Sequence, residues 1–365
     1  MLYKRIIRPI LFLFSPDWLH LTTVQFGSWL GAWGVSRGLL TFLFSYTHPS
    51  LETHVCGISF KNPIGLAGGF DKDAQLIQTI PCIGFGFTEV GSITRYAYAG
   101  NPHPWSVRLK KDESLIVNYG LKNKGATVLT PYIQKQHRTC PVVVNIAKTN
   151  DAKIKGDDSI ADYIASFRLL QHVADLININ ISCPNSGDGI LFCEDMGLLK
   201  KLLDALQAEK SQKPIFLKLK PDISNDMVRA IVALVKNYSC VTGFIVSNLT
   251  RNRNLLSHTQ LADIEQYKGG ISGKPMQKLS TEMIRSIYVL TGGAYPIIGV
   301  GGIFSAKDAY EKIRAGASLV ELMTGMIFEG PFLIKRINKG LVKLLKKDGF
   351  HSVTEAVGAD HVRSV

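Results

Sequence analysis

The chain has 365 residues, 46% hydrophobic and 19% charged, a balance that supplies a core and excludes a disordered polypeptide. Its formal net charge of +13 favours an anionic partner, either a small acidic substrate or a lipid surface. With no zinc-finger spacing, basic heptads or aromatic–glycine RNA signature, no nucleic-acid partner is expected; six cysteines without a C-x-x-C pair point to reduced thiols and no metal site.

Residues 1–46 stand apart. A basic, apolar run (MLYKRIIRPILFLF) leads into Ser15-Pro16-Asp17, a helix-start signal, and then into an aromatic stretch from Val24 to Tyr46 that is interrupted by Arg37 and four glycines. A secretory signal fits poorly because no small-residue cleavage site follows. A membrane-spanning helix of ~20 apolar residues would have to bury Arg37. Two short helices lying in a membrane interface, with Lys4, Arg5, Arg8 and Arg37 near the headgroups, fit the pattern best. A helical hairpin packed on the following domain stays open.

From residue 47 to about 350 the chain alternates short apolar runs with helical patterns. Strands are predicted near Ile64–Ala67, Phe87–Gly91, Val142–Ile146, Leu176–Ile181, Ile215–Leu219, Gly243–Val246, Ile297–Val300 and Leu319–Leu322. Between them lie helical stretches such as Asp158–His172, Met196–Glu209, Asn225–Lys236, Gln277–Leu290 and Ala306–Ala315, and a last helix starts near Pro331. Eight strands with their crossovers give the α/β class, a (β/α)8 TIM barrel with an N-terminal helical membrane-associating extension. An open doubly wound sheet would more often carry G-x-G-x-x-G after its first strand, and Gly65-Leu66-Ala67-Gly68-Gly69 lacks that spacing. Residues 351–365 form a tail without a motif.

Barrel enzymes build their sites at the strand C-termini, and here those ends are polar. They carry Gly68-Gly69-Phe70-Asp71-Lys72, Ser92, Asn145, Asn180 to Asn185, Lys218, Ser247-Asn248, Gly301-Gly302 and Thr324. The glycines after the seventh strand, with Met323-Thr324-Gly325 after the eighth, resemble a barrel phosphate site. Lys218 has the charge to stabilise an electron-rich ring, although a strand-end lysine is as often a solvated charge.

Four segments together resemble the dihydroorotate dehydrogenases: Asn62 to Lys72, Asn180 to Asn185, Gly270-Ile271-Ser272-Gly273-Lys274-Pro275, and Gly299 to Ile303. The N-terminal extension and the length are similar to the membrane-associated, quinone-linked class. The resemblance implies FMN bound among Ala67, Gly68, Gly69, Ser92, Asn145, Asn180, Lys218, Ser247, Gly273, Gly302, Met323 and Thr324. It implies a substrate, dihydroorotate, held by Lys72, Asn118, Asn180, Asn185 and Asn248, with Cys183 as the catalytic base. It places His20 and Arg108 along a quinone tunnel, and it implies peripheral membrane association, on the cytoplasmic face of the inner membrane if the source is bacterial. The chain departs from the class in having Cys183 where the class has serine, Val117 at the first position of the substrate loop, Leu249 for a small hydroxyl residue and Met323 for a tyrosine. The residues therefore also accommodate an FMN oxidoreductase for another small anion, or a flavin-binding protein without catalysis.

Overall fold

A computed structural model describes residues 2–182 and 192–361; Cys183 and Asn185 lie outside the described residues. The strands in chain order are β1 (Thr53–Val55), β2 (Ile58–Phe60), β3 (Ile64–Asp71), β4 (Phe87–Ile93), β5 (Ser106–Leu109), β6 (Ser114–Val117), β7 (Val142–Ile146), β8 (Leu176–Asn180), β9 (Ile215–Leu219), β10 (Val241–Val246), β11 (Gly270–Gly273), β12 (Ile297–Val300) and β13 (Leu319–Leu322). Eight of them close a parallel barrel in the order β3-β4-β7-β8-β9-β10-β12-β13. These are the eight strands expected from the sequence, with ends shifted by a few residues. The largest shift is in β3, which continues to Asp71 through a register irregularity after Leu66, so Gly68 and Gly69 belong to the strand itself.

Period-two alternation sorts the barrel interior into layers. At the bottom, Phe87, Val143, Leu176, Phe216, Ile245, Ile298 and Leu319 form one apolar cluster, closed from below by Val55 and Phe60 of the β1–β2 hairpin. The two large rings need small neighbours: a Cβ on Gly65 would meet Phe87 at 2.3 Å, and one on Gly243 would meet Phe216 at 2.5 Å. Two residues further along, the same strands carry Glu89, Asn145, Asn178, Lys218, Ser247 and Glu321, all buried. The polar layer thus sits at the C-terminal end of the barrel, where loops can complete a site.

Two additions flank the barrel, and the strands of the first were not legible in the sequence. β5, β6 and β11 form a three-stranded antiparallel sheet over the barrel mouth, in the order β11-β6-β5. The N-terminal helices are α1 (Arg8–Leu11), preceded by a π-turn from Tyr3 to Ile7, then α2 (Pro16–Ala32) and α3 (Gly34–Phe44), with extended Trp33 separating the last two. Ser15 caps α2, and buried Asp17 ties it to the sheet by accepting from Trp105 N at 2.8 Å and Ser106 Oγ at 2.8 Å. Two of the glycines read as interruptions serve close packing: a Cβ on Gly27 would strike Leu76 at 2.7 Å, and one on Gly31 would strike Thr79 at 2.3 Å.

The N-terminal cations differ from the sequence expectation. Arg37 donates to Gly31 O at 2.7 Å and Gln78 Oε1 at 3.1 Å, Arg8 donates to Phe328 O at 3.1 Å, and Lys4 pairs with Glu329. Free carbonyls at helix ends and nearby acceptors compete for these cations, which turn toward protein instead of pointing outward. Arg5 stays exposed, but most of what faces outward is apolar: among the described residues, fifteen of the twenty-two exposed large hydrophobic residues fall before residue 45, among them Trp18, Phe26, Trp29, Trp33 and Phe42. Among the described residues, no helix is long and apolar enough to cross a membrane.

The segment after His351 also packs on the barrel. Val353 N donates to Ser50 O at 2.8 Å, Val353 and Ala356 are buried, and Asp360 pairs with Arg314 at 2.7 Å and Arg285 at 3.2 Å.

Candidate active site

The mouth of the barrel opens into a cleft with about 1060 Å³ of empty space, counting its opening to solvent. Its walls bring together Ala67, Gly68, Gly69, Lys72, Ser92, Asn145, Asn180, Lys218, Ser247, Asn248, Gly273, Gly302, Met323 and Thr324, which lie on or just after all eight barrel strands and on β11. Every described residue expected at the cofactor lines this cleft.

The floor is an electrostatic network. Glu89 is fully buried and accepts from Asn178 Nδ2 at 2.8 Å, Lys218 Nζ at 3.0 Å and Asn145 Nδ2. A Cβ on Gly68 would sit 2.2 Å from Glu89 Oε1, so glycine is required for the strand to pass over the carboxylate. Burial alone would raise the Glu89 carboxyl, but Lys218, Glu321 and Asn145 outweigh it and hold it below the usual range. The Lys218 ammonium is thereby fixed at the cleft floor with its counter-charge beneath it.

Glu321 faces the same network from β13. Both of its carboxyl oxygens are buried and lack a donor among the described residues. Burial first, and the Glu89 charge second, push its carboxyl well above the ordinary value. A protonated Glu321 donating to Glu89 satisfies both groups, so two carboxyls share one proton above one buried lysine.

The remaining polar groups hold the upper wall. Asn180 Nδ2 donates to Ser92 Oγ at 3.0 Å, while its Oδ1 accepts from Ser182 N at 3.2 Å and Asn248 Nδ2 at 3.2 Å. Asn248 also donates to Ser182 Oγ at 3.1 Å, which ties Ser182 to the wall. Asn145 Oδ1 is buried and has no partner among the described residues, an acceptor waiting for a donor from a ligand. On the far side the backbone approaches closely. Gly273 (φ +92°) and Gly302 (φ +72°) adopt left-handed conformations, and a Cβ on Gly302 would meet the Gln277 backbone at 2.4 Å. A glycine cradle, an orphaned amide oxygen and a fixed ammonium fit the phosphate and the polar ring edge of FMN.

Lys72 occupies the opposite end of the cleft. Its Nζ donates to Gly69 O and lies 3.7 Å from the centre of the Tyr119 ring. Burial, and next the neighbouring Lys122, lower it to about 7. Asn118 does not join it. The alternation of β6, extended by one residue pair, turns Val117 and Tyr119 to the cleft and Asn118 to the outer face. There the Asn118 side chain accepts from Asn101 Nδ2 at 3.0 Å, outside the cleft that gathers the other expected residues.

A second cavity, with about 1630 Å³ of empty space, runs between α2, α3 and the barrel. Its lining is mainly apolar, and it shares Gly69, Lys72, Val117, Tyr119 and Met323 with the first cleft. His20 and Arg108 both line it. His20 packs edge-on against Phe70 at 4.9 Å and Tyr119 at 5.8 Å, and burial with the Lys72 and Lys122 charges holds its ring neutral. Arg108 donates to Phe14 O at 2.8 Å and stacks over Phe12 at 4.5 Å.

Sequence reasoning passed over Glu89, Glu321, Tyr119 and Lys122. A charged residue inside each of the strands Phe87–Ile93 and Leu319–Leu322 was a signal, because an acid flanked by apolar neighbours in a parallel sheet must be paired. Lys122 carried no motif.

The family model for dihydroorotate dehydrogenase matches residues 50–345. Relatives named dihydroorotate dehydrogenase (quinone) from Trichodesmium erythraeum and Nostoc punctiforme are 38% and 39% identical, and in both pairs the match covers 98% of each chain. The crystal structure of a dihydroorotate dehydrogenase from Eimeria tenella in complex with ferulenol superposes with a TM-score of 0.82 at 30% identity, covering 95% of this chain and 96% of that one.

Proposed function

The chain belongs to the dihydroorotate dehydrogenase family, and from that premise we propose that it oxidises dihydroorotate to orotate in pyrimidine synthesis, using FMN and passing the electrons to a membrane quinone. The observation that carries the reading is the junction of two cavities: a polar, glycine-walled cleft meets an apolar tunnel across Gly69, Val117, Tyr119 and Met323. A ring seated at that junction touches a small polar reductant on one side and a lipid-soluble acceptor on the other. Bound there, FMN supplies the hydride acceptor.

The protein's own groups orient and charge the reaction. Gly273, Gly301 and Gly302 give the backbone approach for the phosphate, while Asn145, Asn180, Ser92, Ser247 and Thr324 accept or donate around the ring edge. Lys218, held by Glu89, presents positive charge where negative charge develops. Lys72 binds the substrate carboxylate, and Asn180 and Asn248 hydrogen-bond the pyrimidine ring together with Asn185. Cys183 removes the proton α to the ring carbonyl as the adjacent carbon loses hydride. The exposed aromatic face of α2 and α3 rests on the membrane, so the tunnel opens where quinone is dissolved.

A second reading, a related oxidation of another small carboxylate, draws on the apolar Val117 and Leu249 in the cleft wall. Steady-state assays separate the two. Orotate is expected to accumulate from dihydroorotate with a short-chain quinone and not with NAD⁺. Quinone-dependent turnover of a different carboxylate with dihydroorotate inert, or NAD⁺-dependent orotate formation, would overturn the substrate or the acceptor respectively.

A further inference from the structure

We propose that Lys122 is a second cationic contact for the substrate carboxylate, acting with Lys72 as a two-ammonium clamp; the inference rests on the substrate reading above. Lys122 and Lys72 line the same cleft. The two ammoniums stand over neighbouring rings of one aromatic platform: Lys72 Nζ is 3.7 Å from the Tyr119 ring, Lys122 Nζ is 5.5 Å from the Trp105 ring, and the rings are 5.2 Å apart. Among the described residues neither lysine has a carboxylate within ion-pair distance. The acids nearest Lys72 are committed elsewhere: Asp71 accepts from Gln75 N and Leu76 N, Asp73 accepts from Lys124 N, and Asp17 is engaged by α2's contacts with the sheet. His20, from α2, faces the pair as a neutral ring.

Two like charges held together without an anion repel each other, and the fold tolerates this through π faces and a single carbonyl, the Gly69 O bonded by Lys72. An arriving carboxylate relieves the repulsion and takes a hydrogen bond from each ammonium. Val117 and Leu121, which line the same cleft and flank Tyr119 and Lys122 in the chain, bring no competing acceptor side chain. The clamp therefore selects for a carboxylate on the ring and compensates for the apolar side chain of Val117 in the substrate loop.

The test is equilibrium binding of orotate and of uracil, which lacks the carboxylate, to the flavin-loaded enzyme and its Lys122→Gln and Lys122→Arg variants at low and high salt. Orotate affinity is expected to fall at least about tenfold in Lys122→Gln, with a shallower salt dependence, to recover largely in Lys122→Arg, and uracil binding is expected to stay unchanged. Equal orotate affinity and salt dependence in the enzyme and Lys122→Gln would overturn the clamp. If the unmodified enzyme binds no orotate, the substrate reading falls by itself, and the clamp is then judged on thermal stabilisation by sulfate. Loss of that stabilisation in Lys122→Gln supports an anion clamp; equal stabilisation in both rejects it.

Discussion

Replacing Cys183 with alanine is expected to slow reduction of the bound flavin by dihydroorotate by about 10²–10⁴-fold while leaving the flavin in place. The residue before it is fixed to the cleft: Ser182 is buried and bonded to both Asn180 and Asn248, which line the wall. A C–H proton α to a carbonyl leaves slowly without a base at hand, and a thiol is a base only as thiolate, with an ordinary pKa of ~8.5. Reduction is therefore expected to accelerate as pH rises toward that value. Cys183→Ser, whose hydroxyl does not ionise in this range, loses that inflection. Stopped-flow absorbance across pH measures both effects. An alanine variant that reduces flavin at the original rate would remove Cys183 from the chemistry.

Replacing Glu321 with glutamine is expected to stabilise the protein at neutral and alkaline pH. The native carboxyl stays protonated in the fold but ionises at ordinary pH once unfolded, because burial and the Glu89 charge raise it well above 4.5. Below that value both states hold the proton and stability is unaffected. Above it the folded state binds one proton more, so stability falls by about 1.4 kcal/mol per pH unit until the folded carboxyl itself ionises. Glutamine donates to Glu89 without titrating and removes that slope. Denaturant unfolding between pH 5 and 9 should show the two proteins converging at acid pH and separating as pH rises. Parallel curves would mean that Glu321 is ionised in the fold. Glu89→Gln is the instructive contrast: it leaves Lys218 buried without its counter-charge and is expected to cost about 3–5 kcal/mol.

How far the sequence could be read depends on which physics sets each feature. Barrel strands are short and apolar with helices between them, so their number and order follow from local pattern; seven of the eight were placed within two residues at each end. The cofactor wall was legible because its residues follow strand ends directly, and strand ends share one rim in a closed barrel. The outward placement of Asn118 was not legible because the sheet over the mouth could not be seen: alternation through Val117 and Tyr119 decides which side chains face the cleft, and only the pairing with β5 and β11 sets that register. The Glu89–Glu321 pair joins strands 232 residues apart. No local pattern reveals such proximity, although an acid inside each strand signals that a partner exists. Arg37 was read outward from composition, whereas the carbonyl of Gly31 turned it inward.

The most direct test of the central claim is anaerobic mixing of the flavin-loaded protein with dihydroorotate, followed at the visible flavin maximum. Bleaching within a turnover time, with colour restored by a soluble quinone, is the expected result. A protein that carries FMN and keeps its colour in excess dihydroorotate would contradict the account.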